Sequence, residues 1–373
     1  MRSTHLRVRL IATLMLAVPL VIAACGSTSN GPAAIVNGKG CKHIALLLPE
    51  TATAQRWEHD DHPDTVAAIQ KYLPGATVDA TNAQGSQATQ QTQAEAALAR
   101  GACILVVAPQ DSTAAAAIVT SAKAKNVPVI SYDRLIVSDQ LDYYASFDGV
   151  AVGIAQGNYI RDHYQQYVTL NGNNNLVMIK GSDTDNNAHL FGQGAHQVLD
   201  PLITSNALKL VYEKYTPGWD DPTARIEADG ALTANHNKVA VFYVMNDGMA
   251  NSVVQSLKAV GLNGKVLVTG QDAADSGIRN ILLGDQSMTV YKPIKTLADS
   301  VGRLVAAISN GTSTSAIANQ KVKNPNGTAE IPSVLNPVTE VDISNIKTTV
   351  IADGFVTAAT VCQGVPPGTG GVC

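Results

Sequence analysis

The 373-residue chain carries 26 Lys and Arg against 30 Asp and Glu, which gives a formal net charge of −4. Loss of the first 24 residues would remove three Arg and no acid, leaving 23 basic against 30 acidic residues and a net charge of −7. This acidic balance disfavours nucleic acid and anionic lipid as partners. About 350 remaining residues exceed what one hydrophobic core usually serves, so we expect two domains.

The N-terminus has the layout of a bacterial lipoprotein signal. Three arginines precede an apolar run from Leu10 to Ala24, which is too short for a flanked membrane span. Two alanines stand directly before Cys25 and form a lipobox, so we expect residues 1–24 to be removed and the thiol of Cys25 to be lipidated. Residues 25–39 are predicted to be a flexible tether. The alternative is an ordinary signal peptide with an accidental Cys.

From residue 41 onward, short apolar runs alternate with stretches of helical composition. Strands are predicted at 43–48, 77–80, 104–108, 129–132, 144–147, 176–180, 208–215, 239–244, 266–269 and 288–291. Helices are predicted around 65–69 and at 86–100, 113–125, 150–167, 189–200, 223–234 and 249–260. Most of the strands are continuous apolar runs, which is typical of parallel strands covered on both faces. The pattern predicts an α/β fold with two doubly wound parallel sheets.

The composition changes from Asn310 onward. This part is rich in Gly, Pro, Ser, Thr and Asn and has only short strand signals, such as residues 348–351. We interpret it as a segment that crosses between the domains, followed by a surface tail, rather than as a third domain.

Four cysteines remain besides Cys25, and an even number in an exported protein favours two disulfides. The sequence has no CxxC pair, so the spacing does not suit zinc. Cys41 and Cys103 open the first and third predicted strands, which are neighbours in the 2-1-3 order of a doubly wound sheet. We therefore expect the pairs Cys41–Cys103 and Cys362–Cys373. The alternative pairs a tail cysteine with Cys41 or Cys103.

Polar side chains follow nearly every predicted strand, which is where ligands bind in open parallel sheets. They are Arg56, Trp57, Asp133, Arg134, Asp148, Asp183, Asp185, Asn186, Asn187, Trp219, Asp220, Asn246, Asp247, Gln271, Asp272 and Lys292. Helix N-caps account for some of the Asp and Asn residues. The alternatives are a solvated surface charge for each cation and a core residue for each Trp.

A neutral polyol needs this mixture of side chains. Its hydroxyls donate to carboxylates and accept from Arg, Lys and Asn, while its C–H faces stack on aromatic rings. The sequence therefore favours a sugar site, with no cofactor and no metal.

Other chemistries lack their motifs. No phosphate-binding Gly-rich loop follows a strand, and no Gly-x-Ser-x-Gly elbow occurs. The segment 183–194 begins like a calcium loop but has no Gly and no Glu at the required positions. We interpret residues 59–62, His-Asp-Asp-His, as a solvated helix start rather than a metal site. A glycosidase carboxylate pair remains an alternative.

A series of short motifs carries a resemblance to a known family. They are Gln55-Arg56-Trp57, Ser131-Tyr132-Asp133-Arg134, Ser146-Phe147-Asp148, Gly181-Ser182, Asp185-Asn186-Asn187-Ala188, Ala231-Leu232-Thr233-Ala234-Asn235, Gly270-Gln271-Asp272-Ala273 and Met288-Thr289-Val290-Tyr291-Lys292-Pro293. In these motifs, between about residues 43 and 355, the chain resembles the periplasmic xylose-binding proteins of sugar ABC transporters, within the ribose/galactose-binding superfamily. Residues 51–54 depart from the family, where more charge is expected, and the tail from Cys362 lies outside its pattern.

The resemblance implies a type I periplasmic binding protein with a ligand cleft between two lobes. Lobe 1 would comprise residues 40–147 and 292–331, lobe 2 residues 148–291 and 332–358, and residues 359–373 a disulfide-closed tail. The sugar ligands it implies are Arg56, Asp133, Arg134, Asp185, Asn187, Asn246, Asp272 and Lys292. Trp57 and Trp219 would supply the stacking faces.

The expected function is extracytoplasmic capture of xylose or a related aldose and its delivery to an ABC permease. The protein would be a monomer, held by a lipid on the outer face of the cell membrane, and not an enzyme. The alternatives are a sugar sensor for a membrane receptor and a carbohydrate-active enzyme.

Overall fold

The computed structural model describes residues 38–373, so the predicted signal peptide, Cys25 and most of the predicted tether lie outside the described residues. The strands are His43–Leu48 (β1), Thr77–Asn82 (β2), Ile104–Val107 (β3), Val129–Tyr132 (β4), Tyr143–Phe147 (β5), Asn175–Lys180 (β6), Lys209–Tyr215 (β7), Val241–Val244 (β8), Leu267–Val268 (β9), Thr289–Tyr291 (β10), Gln320–Lys323 (β11), Glu330–Asn336 (β12) and Thr339–Val341 (β13). The helices are His62–Tyr72 (α1), Gln87–Ala99 (α2), Ala116–Lys123 (α3), Gly149–Asn171 (α4), Asn186–Thr204 (α5), Asp221–Ala234 (α6), Asp247–Ala259 (α7), Asp275–Leu283 (α8), Ile294–Asn310 (α9) and Ala358–Val361 (α10). Helices α8, α9 and α10 were not predicted.

The first lobe is built on a seven-stranded sheet in the order β11-β12-β5-β4-β3-β1-β2. Its strands run parallel, except that β11 is antiparallel to β12. Alternate residues of β1 enter different cores: Ile44 and Leu46 pack with α1 and α9, whereas Ala45 and Leu47 pack with α2 and α3. Because both faces are covered, the strand reads as a continuous apolar run.

The second lobe has a parallel sheet in the order β7-β6-β8-β9. The loop after β9 continues the sheet through backbone hydrogen bonds to β10, which pairs antiparallel with β13. Helices α4 and α5 lie in close contact because both have glycine at the crossing. A Cβ on Gly153 would stand 1.9 Å from the carbonyl oxygen of Phe191, and one on Gly194 would stand 2.1 Å from that of Val150.

Three crossings link the lobes within the described residues, from β5 to α4, from β10 to α9 and from β12 to β13. The third crossing differs from the prediction, because the predicted lobe boundary between residues 331 and 332 falls inside β12. Residues 333–336 of that strand pair with β5 in the sheet of the first lobe, so the crossing lies after Asn336.

The hairpin β11–β12 forms the exposed edge of this sheet. It was not predicted, because its sequence is polar and alternating rather than a continuous apolar run. The strand signal at residues 348–351 is wrong, because a 3-10 turn, Ile346–Thr348, ends there and residues 349–351 continue as turns.

Both predicted disulfides are present, Cys41–Cys103 and Cys362–Cys373. The first joins the segments that enter β1 and β3, which pair directly in the sheet. The predicted surface tail is instead part of the second lobe. Its Val361 is fully buried in a core that it shares with α8.

No helix within residues 38–373 combines the length and the apolar character needed to cross a bilayer.

Candidate functional site

A small cavity of about 30 Å³ lies between the lobes, at the carboxyl ends of the strands. All ten residues that the sequence predicts as sugar contacts line it: Arg56, Trp57, Asp133, Arg134, Asp185, Asn187, Trp219, Asn246, Asp272 and Lys292. The remaining lining residues are Thr53, Ala54, Phe191 and Gln271.

The wall from the first lobe centres on Arg56, which stands just before a π-helical turn, Trp57–Asp61. Its guanidinium donates to both carboxylate oxygens of Asp61, at 2.7 and 2.8 Å, and to Asp133 at 3.0 Å. The hydroxyl of Tyr132 also donates to Asp61, at 2.6 Å. Burial alone would lower the pKa of Arg56, but the carboxylates of Asp133 and Asp61 raise it well above its usual value. Arg56 therefore stays positively charged, and its bonds to Asp61 and Asp133 fix the orientation of its guanidinium group.

The burial of Asp61 contradicts one prediction. The interpretation of residues 59–62 as a solvated helix start is wrong for this residue, because Asp61 is fully buried beneath Arg56. The neighbouring ring of His59 is 73% exposed, as that interpretation requires. Within residues 38–373 no cluster of three or more His, Cys, Asp or Glu is arranged to hold a metal ion.

Asp133 has a left-handed backbone, with φ of +58°, immediately after β4. Asp tolerates this region better than most residues. The hydroxyls of Tyr144 and Ser146 on β5 both donate to its carbonyl oxygen, at 2.9 and 2.5 Å. Its carboxylate accepts from the amide of Asn187 in the second lobe at 3.2 Å. Burial opposes ionisation of Asp133, yet Arg56 and other cations keep its pKa below the usual range.

In the second lobe, Asp185 and Asn246 are the N-caps of α5 and α7. One side-chain oxygen of each accepts from a backbone N–H of its helix, at 2.9 Å in both cases. The other carboxylate oxygen of Asp185 forms an ion pair with Arg134 at 2.9 Å and accepts from the indole of Trp219 at 3.2 Å. Burial raises the pKa of Asp185 and the charge of Arg134 opposes that rise. Capping and ligand binding are thus compatible at these two residues.

Asp148 and Asp220, in contrast, are N-caps that do not line the cavity. Their carboxylates accept from the backbone N–H groups of Ala151 and Thr223. The capping alternative is the correct one for these two residues.

Asp272 lies in a strained loop, with φ of +96°, and Ala273 follows at +51°. Such angles persist only when the surroundings hold them. The buried carboxylate of Asp247 does this, since one of its oxygens accepts from the N–H of Ala274 and the hydroxyl of Thr289, both at 2.9 Å. Burial raises the pKa of Asp247 to about 7.

Lys292 joins the two walls. Its ammonium lies 2.8 Å from Asp272 and 3.9 Å from Asp133, and it is only 4% exposed. Arg56 reaches Asp272 as well, at 3.6 Å. Three carboxylates and three cations therefore alternate around the cavity, and each charge faces an opposite one.

Two tryptophans supply apolar surface. The ring of Trp57 faces the guanidinium groups of Arg56 and Arg134, at 4.6 and 5.1 Å from its centre. The ring of Trp219 lies over Gly181, where a Cβ would approach it to 2.1 Å. Both tryptophans are buried and both line the cavity, so each one is a core residue and a cavity residue at once.

Sequence reasoning did not name four lining residues as contacts, and two of them, Phe191 and Gln271, bring an aromatic ring and an amide to the cavity. Phe191 packs edge-on against Trp219, with ring centres 6.3 Å apart. An apolar residue on a helix looks like a core residue in the sequence, so no signal marked it. Gln271 stands in a motif that the sequence analysis singled out, beside Asp272. Its amide donates to the carbonyl of Met245 at 3.0 Å, and its buried oxygen has no partner among the described residues.

The cleft is closed. Arg134 of the first lobe pairs with Asp185 of the second, and at the rim the N–H of Ser112 donates to the carbonyl of Thr184 at 2.9 Å. A ligand in the cavity would be enclosed by both lobes.

Comparison with known proteins places the chain in a family. Residues 45–313 match the family model described as a periplasmic binding protein domain. The chain belongs to the periplasmic binding protein family. It is 37% identical to the D-xylose-binding periplasmic protein of Escherichia coli (strain K12) over 301 residues, which cover 81% of this chain and 87% of that protein. It is 34% identical to the multiple sugar-binding periplasmic protein SbpA of Azospirillum brasilense over 329 residues, 85% of this chain and 90% of that one.

Solved structures agree. A carbohydrate transporter solute-binding protein from Chloroflexus aurantiacus, in complex with D-glucose, is 31% identical with a TM-score of 0.74, covering 85% of this chain and 97% of that one. An ABC transporter solute-binding protein from Clostridium phytofermentans, with bound β-D-glucose, is 30% identical with a TM-score of 0.73. The match covers 86% of this chain and 100% of that one. The predicted fold class, two doubly wound lobes with a cleft, is confirmed.

Proposed function

We propose that this periplasmic binding protein captures a monosaccharide, xylose or a related aldose, and delivers it to an ABC permease. The observation that carries the proposal is the enclosure of ten predicted sugar contacts around one cavity between two lobes. Relatives that bind D-xylose and D-glucose by name support the choice of an aldose.

The polar contacts suit a neutral sugar. Ring hydroxyls would donate to Asp133, Asp185 and Asp272 and accept from the cations and amides beside them. Trp57 and Trp219 would cover the C–H faces of the ring. Because each carboxylate already faces a cation, a neutral ligand leaves no charge unpaired.

Capture and release would follow from hinge motion. Opening at the three crossings would break the contacts of Arg134 with Asp185 and of Ser112 with Thr184, and sugar would favour the closed form. The closed form would then dock on the permease as a monomer. Lipidation at Cys25 would keep the protein on the outer face of the membrane, and two disulfides suit that oxidising location.

Binding without turnover is part of the proposal. A glycosidase needs one carboxylic acid that holds a proton. Asp133 and Asp272 lie against cations, and the pKa of Asp133 is lowered. A sugar sensor would use the same cavity with a different membrane partner.

Calorimetry of the mature chain against D-xylose, D-glucose, D-galactose, L-arabinose and D-ribose tests the proposal. At least one aldose should bind with a Kd of about 1 μM or below, about −8 kcal/mol or better. Absence of binding to every sugar, with no rise in melting temperature, would contradict it. Release of nitrophenol from nitrophenyl glycosides would favour an enzyme instead.

A further inference from the structure

A second cavity, of about 540 Å³ and open to solvent, borders the sugar cavity. We call it the annex and define it by Thr51, Asp60, Asp221, Asp275, Arg279 and Phe355. The two cavities share five lining residues: Thr53, Ala54, Arg56, Asn246 and Asp272. A group attached to a sugar in the first cavity would therefore enter the annex along this shared border.

Small side chains leave the border open on the side of the first lobe. Residues 51–54 read Thr-Ala-Thr-Ala, and all four line the annex. The N–H of Thr53 donates to Glu50 at 2.9 Å, and the hydroxyl of Thr51 donates to Gln84 at 2.9 Å. These bonds fix the strip in place without filling the space in front of it.

The walls of the annex have the chemistry of a carbohydrate subsite. Phe355 is half-buried and packs against Tyr291, with ring centres 4.9 Å apart, so it offers an aromatic surface. Asp60 and Asp275, which carry carboxylates, and Arg279, which carries a guanidinium, also line it. An acceptor, a donor and an aromatic ring are the groups that bind a sugar ring. The carboxylates of Asp60, Asp221 and Asp275 disfavour an acidic sugar.

The C-terminal tail fixes one of these walls. The guanidinium of Arg279 donates to the carbonyl of Thr360 at 2.6 Å, and Val361 and Val365 are buried against α8. The Cys362–Cys373 disulfide closes this segment. The tail thus holds Arg279 at the edge of the annex.

We propose that the annex is a subsite for a second neutral sugar residue, so that the protein binds a disaccharide with one ring in each cavity. This inference rests on the proposed function and extends its substrate class from free aldoses to short oligosaccharides. The volume of the annex, about 540 Å³, accommodates the second ring.

Calorimetry with D-xylose, D-glucose, xylobiose and cellobiose tests the inference. One disaccharide should bind at least ten-fold more tightly than its monosaccharide. Ser276→Trp, which places a bulky ring in the annex from the first turn of α8, should abolish that gain and leave monosaccharide affinity unchanged. Asp275→Asn should reduce the gain several-fold, and Asp229→Asn on the exposed face of α6 is its matched control.

The outcomes separate the two proposals. If the monosaccharide binds and no disaccharide binds more tightly, the annex is not a subsite and the proposed function stands. If the disaccharide gain survives in Ser276→Trp, the second ring lies elsewhere and the inference is wrong. If no sugar binds, both proposals are wrong.

Discussion

The two walls of the sugar cavity are built in different ways. In the first lobe, charged side chains hold one another, and Arg56 is fixed by Asp61 and Asp133. In the second lobe, the backbone holds the polar groups, since Asp185 and Asn246 cap helices. Removing a member of the first wall should therefore unbalance a buried charge and destabilise the lobe. Removing a member of the second should cost affinity more than stability.

The largest effect is expected at Asp61. Asp61→Ala leaves Arg56 without its bidentate partner, and breaking a buried ion pair in this way costs about 3–5 kcal/mol. Urea unfolding without sugar measures the loss. Asp60→Ala, one residue earlier in the chain, should change stability by less than about 1 kcal/mol. Equal losses in both variants would contradict the distinction between the buried and the surface carboxylate.

Asp272 tests the second wall. Asp272→Ala should weaken sugar binding by about 2–4 kcal/mol, because it removes an acceptor for sugar hydroxyls and leaves Lys292 with only the more distant Asp133 in a closed cleft. The fold should survive. Asp220→Ala is the control, since it removes an N-cap away from the cavity and should lower stability by about 1 kcal/mol without changing affinity. An unchanged Kd for the Asp272 variant would remove this residue from the site.

Trp219 tests the aromatic surface of the same wall. Trp219→Ala should weaken sugar binding by about 1–2 kcal/mol, and Trp219→Phe should recover part of the loss. Calorimetry and thermal melting without sugar are both needed, because the ring also packs over Gly181 and beside Phe191. A large drop in melting temperature with little change in affinity would show that the ring serves mainly the core.

The smallest expected effect is a change in the pH dependence of stability at Asp221, which lies at the edge of the annex. Burial, with the charges of Asp220 and Glu50, raises the pKa of Asp221 to about 7. The folded state therefore binds this proton more tightly than the unfolded state, so the contribution of Asp221 to stability is greatest at low pH and falls as pH rises from about 4 to 7. Asp221→Asn should remove about 1 kcal/mol of this decline in urea unfolding at pH 5 and pH 8. Asp229→Asn should keep the parent slope, and an equal slope in the Asp221 variant would contradict the raised pKa.

Local patterns determined much of this protein. Continuous apolar runs marked most of the ten predicted strands, because strands covered on both faces need apolar side chains at every position. The rule that ligands lie beyond strand ends predicted a wider set of side chains, and the family resemblance selected from it the ten contacts that line one cavity. The order of the doubly wound sheet also predicted the Cys41–Cys103 disulfide, since it makes β1 and β3 neighbours.

Long-range packing decided the rest. The polar hairpin β11–β12 is a strand pair only because the edge of β5 accepts it, so the third boundary was misplaced. Asp61 is buried only because Arg56 and Tyr132 fold over it, and the apolar Phe191 reaches the cavity only because α5 begins at its rim. Residues within a strand or a helix turn constrain one another through the sequence itself. The burial of a polar side chain depends on partners far along the chain, which only the tertiary structure brings together.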